Sequence, residues 1–186
     1  CVVPGTKTLF GKEGLNKRPI ADLVDALRQL GAKIEYLEKE GFPPLRVSSS
    51  TLTPGVVRMS GGVSSQFLSA ILMIAPMVGQ LEIEVEGEQI SKPYIDMTID
   101  TMRRFGVQVA NDDHKRYSLP FKQPYGISEY VVEGDVSSAS YFAAIAALTK
   151  SRIRLTNMNP QSVQADMGFF QILEDMGTVV SYEQDG

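Results

Sequence analysis

The sequence predicts an α/β protein built from a repeated unit of about 73 residues, and two independent motifs set that period. One motif, apolar-x-x-apolar-Gly-x-x-apolar, is typical of a helix that ends in a left-handed glycine and continues as a strand. Its glycines are Gly31, Gly106 and Gly177, which lie 75 and 71 residues apart. The other motif, Val-Ser-Ser, opens an apolar helix at Val63 and again at Val136. Agreement of two motifs on one period favours a true repeat.

Each unit is expected to contain two helices and the strands between them. After a short strand at residues 8–10, residues 19–30 have one apolar stripe, with Pro19 near the first helical position. Residues 67–75 and 141–148 are apolar on nearly all sides, so both helices are predicted to be buried. Residues 81–86 alternate between apolar and glutamate, which predicts a strand with a solvated acidic face, and residues 152–155 predict a shorter strand.

The phase of the repeat predicts a piece of a longer protein. The chain opens with a strand and a glycine-turn helix, without the Val-Ser-Ser helix expected upstream, and it stops after the third glycine turn. We therefore expect truncation at both ends.

The composition excludes several classes of protein. Apolar residues make up 43% and charged residues 22% of 186 residues, which is ordinary for a globular chain able to bury a core. A net charge of −4 disfavours a nucleic-acid binder. The single cysteine, Cys1, excludes an internal disulfide and indicates a reducing compartment. No apolar run reaches the ~20 residues of a membrane span. The single histidine, His114, lies in a polar stretch that predicts a turn rather than a metal site.

The stretch from Gly61 to Phe67 is the first candidate for an anion site. Two glycines allow a close backbone approach, and Ser64 and Ser65 then lie at a helix N-terminus, where free N–H groups favour an anion. Gln66 adds an amide that can donate and accept. A simple helix cap is the alternative, and the two interpretations are compatible.

Two further helix starts carry polar groups. Ser91 is the expected N-cap of the next helix, and Tyr94 lies in its first turn. Arg18 precedes Pro19 and could bind a carboxylate or phosphate with both arms of its guanidinium, although a solvated arginine is the alternative. The second Val-Ser-Ser copy, Ser137-Ser138, follows Glu133 and Asp135, whose charges would repel a phosphate, so it is expected to be a cap only.

Five stretches resemble, in order, the EPSP synthase (3-phosphoshikimate 1-carboxyvinyltransferase) family. They are Arg18-Pro19-Ile20 with Leu23-Val24-Asp25-Ala26-Leu27, Phe42-Pro43-Pro44-Leu45, Val63-Ser64-Ser65-Gln66-Phe67, Ser91-Lys92-Pro93-Tyr94-Ile95-Asp96, and Glu133-Gly134-Asp135-Val136-Ser137-Ser138-Ala139-Ser140-Tyr141-Phe142. The resemblance implies the enolpyruvyl transferase fold, an inside-out α/β barrel of βαβαββ units in two domains. It places residues 1–132 in the second and third units of the first domain and residues 133–186 at the start of the second.

The resemblance also implies an activity. The family transfers the enolpyruvyl group of phosphoenolpyruvate to the 5-hydroxyl of shikimate 3-phosphate, releasing phosphate, in the shikimate pathway to chorismate and the aromatic amino acids. Its members are transferases of alkyl groups other than methyl, need no metal or organic cofactor, and are targets of glyphosate. We expect a cytoplasmic protein that is monomeric at full length, with small-molecule substrates and no nucleic-acid or membrane partner.

The implied site residues come from the same resemblance. Ser64, Ser65 and Ser91 would hold the 3-phosphate of shikimate 3-phosphate. Gln66 and Tyr94 would contact the same substrate, Gln66 also phosphoenolpyruvate, and Arg18 would bind phosphoenolpyruvate and glyphosate. No catalytic residue of the family falls within residues 1–186, so the segment alone is expected to be inactive.

Three alternatives remain open from the sequence. The sister enolpyruvyl transferase that acts on UDP-N-acetylglucosamine shares the repeat, although the Ser-Ser-Gln-Phe and Ser-Lys-Pro-Tyr motifs favour the shikimate enzyme. A non-catalytic, repeat-built binding scaffold is the second alternative. A scaffold of the DNA-clamp kind would need a basic lumen, and the acidic composition disfavours it. An inactive or degraded product is the third.

Overall fold

The computed structural model describes residues 1–48, 51–127 and 129–183, and the chain forms two compact units, Cys1–Ile127 and Ser128–Gly186. The elements of the first unit are, in chain order, β1 (Lys7–Leu9), α1 (Glu13–Asn16), α2 (Ala21–Gln29), β2 (Lys33–Tyr36), β3 (Leu45–Ser48), β4 (Gly55–Ser60), α3 (Ser65–Val78), β5 (Leu81–Glu86), α4 (Lys92–Arg104), β6 (Ala110–Asp112) and β7 (Arg116–Leu119). No helix among the described residues is long and apolar enough to cross a membrane.

The first unit contains two sheets. Strands β1, β3 and β2 form an antiparallel sheet in that order. Strands β4, β5, β7 and β6 form the other sheet, in which β4 and β5 are parallel and the remaining pairs are antiparallel. The predicted strands at residues 8–10 and 81–86 are thereby confirmed, and His114 lies in the turn between β6 and β7, as predicted.

The three glycine turns have the same geometry. Gly31, Gly106 and Gly177 have φ values of 88°, 86° and 92°. At the first turn, the Gly31 N–H donates to the Arg28 carbonyl (2.9 Å) and the Ala32 N–H to the Leu27 carbonyl (3.0 Å). The same two bonds recur at the other turns. This is the Schellman arrangement that satisfies the last carbonyls of a helix, so the predicted helix ends are confirmed.

Helix α2 packs against both sheets because it is apolar on adjacent sides. Val24 joins the core of the three-stranded sheet, whereas Ala26 and Leu30 join the core of the four-stranded sheet. The predicted start at Pro19 is two residues early, since α2 begins at Ala21. The Ile20 N–H donates to the Gly41 carbonyl (2.9 Å), which holds the chain before Ala21 against a loop.

Helix α3 is buried against the four-stranded sheet, as its apolar sequence predicts. Ile71, Leu72 and Ala75 have no exposed surface, and Ile83 of β5 lies in the same core. The acidic face of β5 is less solvated than expected. Two of its glutamates pair with arginines of neighbouring strands, which leaves their side chains about one-third exposed: Glu84 with Arg58 (2.8 Å) and Glu82 with Arg116 (3.3 Å).

The second unit contains α5 (Val136–Thr149), a 3₁₀ turn (Ala165–Met167) and α6 (Gly168–Asp175). Three predictions are wrong here. Residues 152–155 and the stretch after Gly177 are not strands, because the described residues of this unit offer no strand with which they could pair. Helix α5 is not fully buried either: Tyr141 and Leu148 are 73% and 84% exposed. It packs on α6 and the 3₁₀ turn, which cover one of its faces.

The left-handed turn at Gly106 generates a testable prediction. A Cβ at this position would find only ordinary contacts, so Gly106→Ala isolates the backbone cost of a positive φ. We expect a loss of about 1–2 kcal/mol in the unfolding free energy of the first unit, measured by urea denaturation. Gly14→Ala is the control, because Gly14 lies in α1 with open space around it. This variant should be as stable as the original chain or more so. Equal stability of the two variants would contradict the prediction.

Candidate functional site

The helices predicted to begin near Ser64 and Ser91 both follow strands that end at the same edge of the four-stranded sheet. Strands β4 and β5 run parallel, with Ser60 opposite Glu86 at their carboxyl ends. Helix α3 begins five residues after the end of β4, and α4 begins six residues after the end of β5. Ligands of α/β proteins bind outside the carboxyl ends of parallel strands, where the following helices begin. The topology therefore brings the Ser64 and Ser91 segments to one place.

Backbone hydrogen bonds join these two loops at what we call the loop junction, formed by Gly61, Glu86, Glu88 and Ile90. The Gly61 N–H donates to the Glu86 carbonyl (2.8 Å), and the Ile90 N–H donates to the Gly61 carbonyl (3.0 Å). A Cβ on Gly61 would lie 2.5 Å from the Glu88 carbonyl oxygen. Gly61 thus allows one loop to approach the other, and the close approach to a ligand that the sequence suggested stays a prediction. The helices are joined again one turn further on, where the Ser69 and Thr98 hydroxyls are 2.8 Å apart.

The start of α3 combines a cap with free donors. Ser64 is the N-cap, and its Oγ accepts from the Gln66 N–H (3.3 Å). Because a hydroxyl both donates and accepts, the Ser64 O–H remains able to donate to a ligand. Ser65 is half-buried and Gln66 is exposed. The N–H groups of the first turn have no partners within the helix and carry the positive end of its dipole, so this terminus suits an anion.

The start of α4 has an unusual backbone. Ser91 is the N-cap as predicted, but it adopts the left-handed conformation (φ 56°, ψ 37°) and its side chain makes no capping bond. A non-glycine residue in this region is strained, and such residues concentrate at functional sites. Tyr94, three residues later, is 55% exposed. The hydroxyls of Ser91 and Tyr94 have no hydrogen-bond partner among the described residues, so both are available to a ligand.

Arg18 stands apart from the other candidates. It lies in the exposed segment between α1 and α2, three residues before the first residue of α2. Its guanidinium has no ion pair with any residue that the structure describes, and no hydrogen bond links it to the loop junction. The structure thus brings Ser64, Ser65, Gln66, Ser91 and Tyr94 to neighbouring helix starts and leaves Arg18 at the start of a third helix.

The second Val-Ser-Ser copy is arranged differently from the first. The N-cap of α5 is Asp135, not Ser137, which corrects the prediction that the serines themselves form the cap. The Ser138 Oγ donates to Asp135 (2.6 Å), and the Ser137 Oγ donates to Asp166. Hydrogen bonds from the two serines hold the pKa of the Asp135 carboxyl below its usual value. Both hydroxyls are thus engaged by carboxylates, and this helix start does not suit an anion.

Two further residues near the site were missed from the sequence. Lys92 is the first residue of α4 and brings a cation to the N-terminus of that helix. Gln89 is buried in the loop junction region, 6% exposed, although both of its neighbours in the chain are exposed. The alternation in this stretch gives no signal for that burial. No group of His, Cys, Asp or Glu within the described ranges could hold a metal ion.

Fold and site together define an α/β protein of repeated units in which two adjacent helix N-termini carry donors suited to an anion. The EPSP synthase (3-phosphoshikimate 1-carboxyvinyltransferase) family model matches residues 1–186. The chain therefore belongs to the EPSP synthase family, which confirms the family predicted from its motifs.

Relatives and solved structures agree with this assignment. The chain is 47% identical over 183 residues to a 3-phosphoshikimate 1-carboxyvinyltransferase of Sulfurovum sp. (strain NBC37-1), covering 97% of the chain and 43% of the relative. It is 46% identical over 187 residues to that of Vibrio cholerae, covering 100% and 44%. An EPSP synthase structure from Acinetobacter baumannii matches with a TM-score of 0.70 at 23% identity, over 94% of this chain and 38% of that one. The structural likeness confirms the predicted fold class. The chain spans less than half the length of these relatives.

The loop junction generates a second prediction. Gly61→Ala would place a methyl group against the Glu88 backbone, so the two loops must move apart. We expect a loss of about 1–3 kcal/mol in unfolding free energy, measured by urea denaturation. Gly62→Ala is the control, since its nearest neighbour would be Ser60 Oγ at 3.6 Å, an ordinary contact. That variant should stay within about 0.5 kcal/mol. If both substitutions cost the same, the junction does not depend on close backbone approach.

Proposed function

We propose that the protein containing this chain transfers the enolpyruvyl group of phosphoenolpyruvate to the 5-hydroxyl of shikimate 3-phosphate, and that this chain supplies the phosphate-binding part of the site. One observation carries the proposal: two helix N-termini with available hydroxyls are joined side by side. Membership of the EPSP synthase family supports the same conclusion, as do relatives that carry the name 3-phosphoshikimate 1-carboxyvinyltransferase.

The hydroxyls of Ser64, Ser65 and Ser91 are proposed to donate to the 3-phosphate. Hydrogen bonds to a charged group are stronger than those between neutral groups, and a dianion at two helix N-termini also gains from both dipoles. The left-handed backbone of Ser91 supports this role, because its side chain is not used to cap α4. A phosphate bound here would have its charge met by O–H and N–H donors and by Lys92 nearby.

The remaining residues are proposed to orient the two substrates. Gln66 and Tyr94 follow the serines in the first turns of α3 and α4, and both are exposed. They would contact shikimate 3-phosphate, and Gln66 also phosphoenolpyruvate. Arg18, whose planar guanidinium matches a carboxylate or phosphate, would bind phosphoenolpyruvate and therefore also glyphosate.

The work of this segment would be binding and orientation. Addition of the substrate hydroxyl to phosphoenolpyruvate and elimination of phosphate require proton transfers. None of the six proposed site residues is poised as a general acid or base, so we assign no catalytic residue to this chain. Holding both substrates in one geometry is itself a large contribution to rate.

The wider organisation is also a proposal. We place residues 1–132 in the first domain and residues 133–186 in the second, and the compact units Cys1–Ile127 and Ser128–Gly186 support a division close to that point. We further propose that the complete enzyme is monomeric and cytoplasmic, and that it binds neither nucleic acid nor membranes.

Replacement of both serines at the start of α3 tests the phosphate assignment. In the complete enzyme, Ser64→Ala with Ser65→Ala should raise the KM for shikimate 3-phosphate at least tenfold, because two hydrogen bonds to a charged group are lost. Steady-state kinetics measure the effect. The matched control is Ser137→Ala with Ser138→Ala, the same motif with its hydroxyls bound to carboxylates. The control should leave this KM within twofold. An unchanged KM in the Ser64/Ser65 variant would refute the assignment.

Ligand binding by the isolated chain tests whether the half-site is preformed. Because the loop junction is held by the chain's own backbone, we expect shikimate 3-phosphate to bind with a Kd of about 1 mM or tighter, measured by calorimetry. Shikimate without the phosphate should bind at least tenfold more weakly. Equal affinities for the two compounds would show that the helix starts do not recognise the phosphate.

A further inference from the structure

The side-chain amide of Gln89 is only partly satisfied by hydrogen bonds. Gln89 belongs to the loop that connects β5 to α4, and it is 6% exposed. Its Nε2 is buried and has no hydrogen-bond partner within the residues that the structure describes. Buried polar groups in native proteins almost always have a partner, so an unpaired donor next to a candidate site calls for one.

The opposite end of the same amide is fixed. The Tyr117 hydroxyl donates to Gln89 Oε1 over 2.7 Å, and His114 Nδ1 lies 2.9 Å from that hydroxyl. Tyr117 is fully buried, and burial raises its pKa well above the usual value, with the nearby Asp96 charge acting in the same direction. The hydroxyl therefore keeps its proton and remains a donor. Because Oε1 is occupied by this donor, the amide keeps its Nε2 end directed away from Tyr117.

Gln89 also lines a small cavity. It is lined by Met59, Ser60, Gly61, Val63, Ser65, Leu68, Val85 and Gln89. The centre of a water molecule has about 10 Å³ of room in it. This volume is at the lower limit of the ~10–15 Å³ that one water needs, and the water must also have two or more polar partners. Gln89, Ser60 and Ser65 supply the polar side chains of this lining, and the Ser60 Oγ also accepts from the Gly62 N–H (3.2 Å). Ser65 is the first residue of α3, so the cavity lies at the start of that helix.

We propose that Gln89 is a positioning residue: its Nε2 donates to one water held in this cavity, and the water fixes the Ser65 side chain at the start of α3. The inference deepens the proposed function, on which its consequence for phosphate binding rests. The bound water, however, concerns the protein alone.

The direction of donation explains why an amide suits this place. The Nε2–H donates to the water oxygen, so both water protons are directed onward. One of them is donated to Ser65 Oγ, which then acts as acceptor toward the water. The Ser65 O–H is thereby left to donate to an anion outside the helix start. Gln89 thus determines, through the water, the direction in which the Ser65 hydroxyl donates, without contacting that hydroxyl itself.

The first experiment needs no variant and no ligand. In the isotope-labelled chain, the Gln89 side-chain NH₂ protons should show cross-relaxation with a long-lived water by NMR. Gln123 is the internal control, because its amide is bonded at both ends to the Gln108 backbone (2.8 and 2.9 Å). Its NH₂ protons should show no such water. Absence of the water signal at Gln89 overturns the proposal.

The second experiment separates positioning from general stability. Gln89→Met removes the donor at similar volume, and we expect the Ser65 Hα–Hβ couplings to change from those of one rotamer to an average of several. Affinity for shikimate 3-phosphate should fall about fivefold. Gln123→Met, which also removes a buried amide from the same unit, should leave both readouts unchanged.

The outcomes distinguish the two proposals. An unaltered Ser65 rotamer in Gln89→Met, or affinity losses that are equal in the two variants, overturns the positioning role. If the original chain fails to bind shikimate 3-phosphate while the water signal and the rotamer change are both present, the proposed function fails and the positioning role stands.

Discussion

The parallel pairing of β4 and β5 is the constraint on which the candidate site depends. It places the starts of α3 and α4 at one sheet edge, and the loop junction then fixes their separation through two backbone hydrogen bonds to Gly61. Neither bond involves a side chain. The geometry of the proposed phosphate site is therefore set by backbone atoms, while the side chains at the helix starts supply the donors. Only glycine permits this closeness, because any Cβ at position 61 would overlap the facing carbonyl.

The repeat shows how one local change separates two functions of the same motif. Ser64 caps α3 and retains a proton to donate, whereas Ser137 and Ser138 donate theirs to carboxylates. Position 62 of the first copy is glycine, and the corresponding position of the second copy is Asp135, which takes over the cap. A carboxylate both satisfies the helix N-terminus and repels anions. The residue before the motif thus decides which group caps the helix and engages one of the two hydroxyls, while Asp166 engages the other.

Local features were predictable from the sequence, and features that depend on distant partners were not. The three glycine turns follow from backbone preference alone, and all three are present. Residues 152–155 have the alternation of a strand but no strand to pair with in the described part of their unit. The grouping of Ser64, Ser65, Gln66, Ser91 and Tyr94 was expected through the family resemblance, and its geometry required the β4–β5 register. The burial of Gln89 could not be predicted from the sequence, because it depends on Tyr117, a residue 28 positions away on β7.

The loop junction also has a consequence for engineering. Ser64, Gln66, Ser91 and Tyr94 project from exposed helix starts, and none of them contributes to the core. We expect substitutions at Gln66, Ser91 and Tyr94 to cost little in foldability, whereas replacement of Ser64 would remove the N-cap of α3. Gly61 offers no such freedom, since its conformational role is independent of the ligand bound. A library designed to test the proposed ligand contacts should therefore vary Gln66, Ser91 and Tyr94 and leave the Gly61 backbone contact untouched.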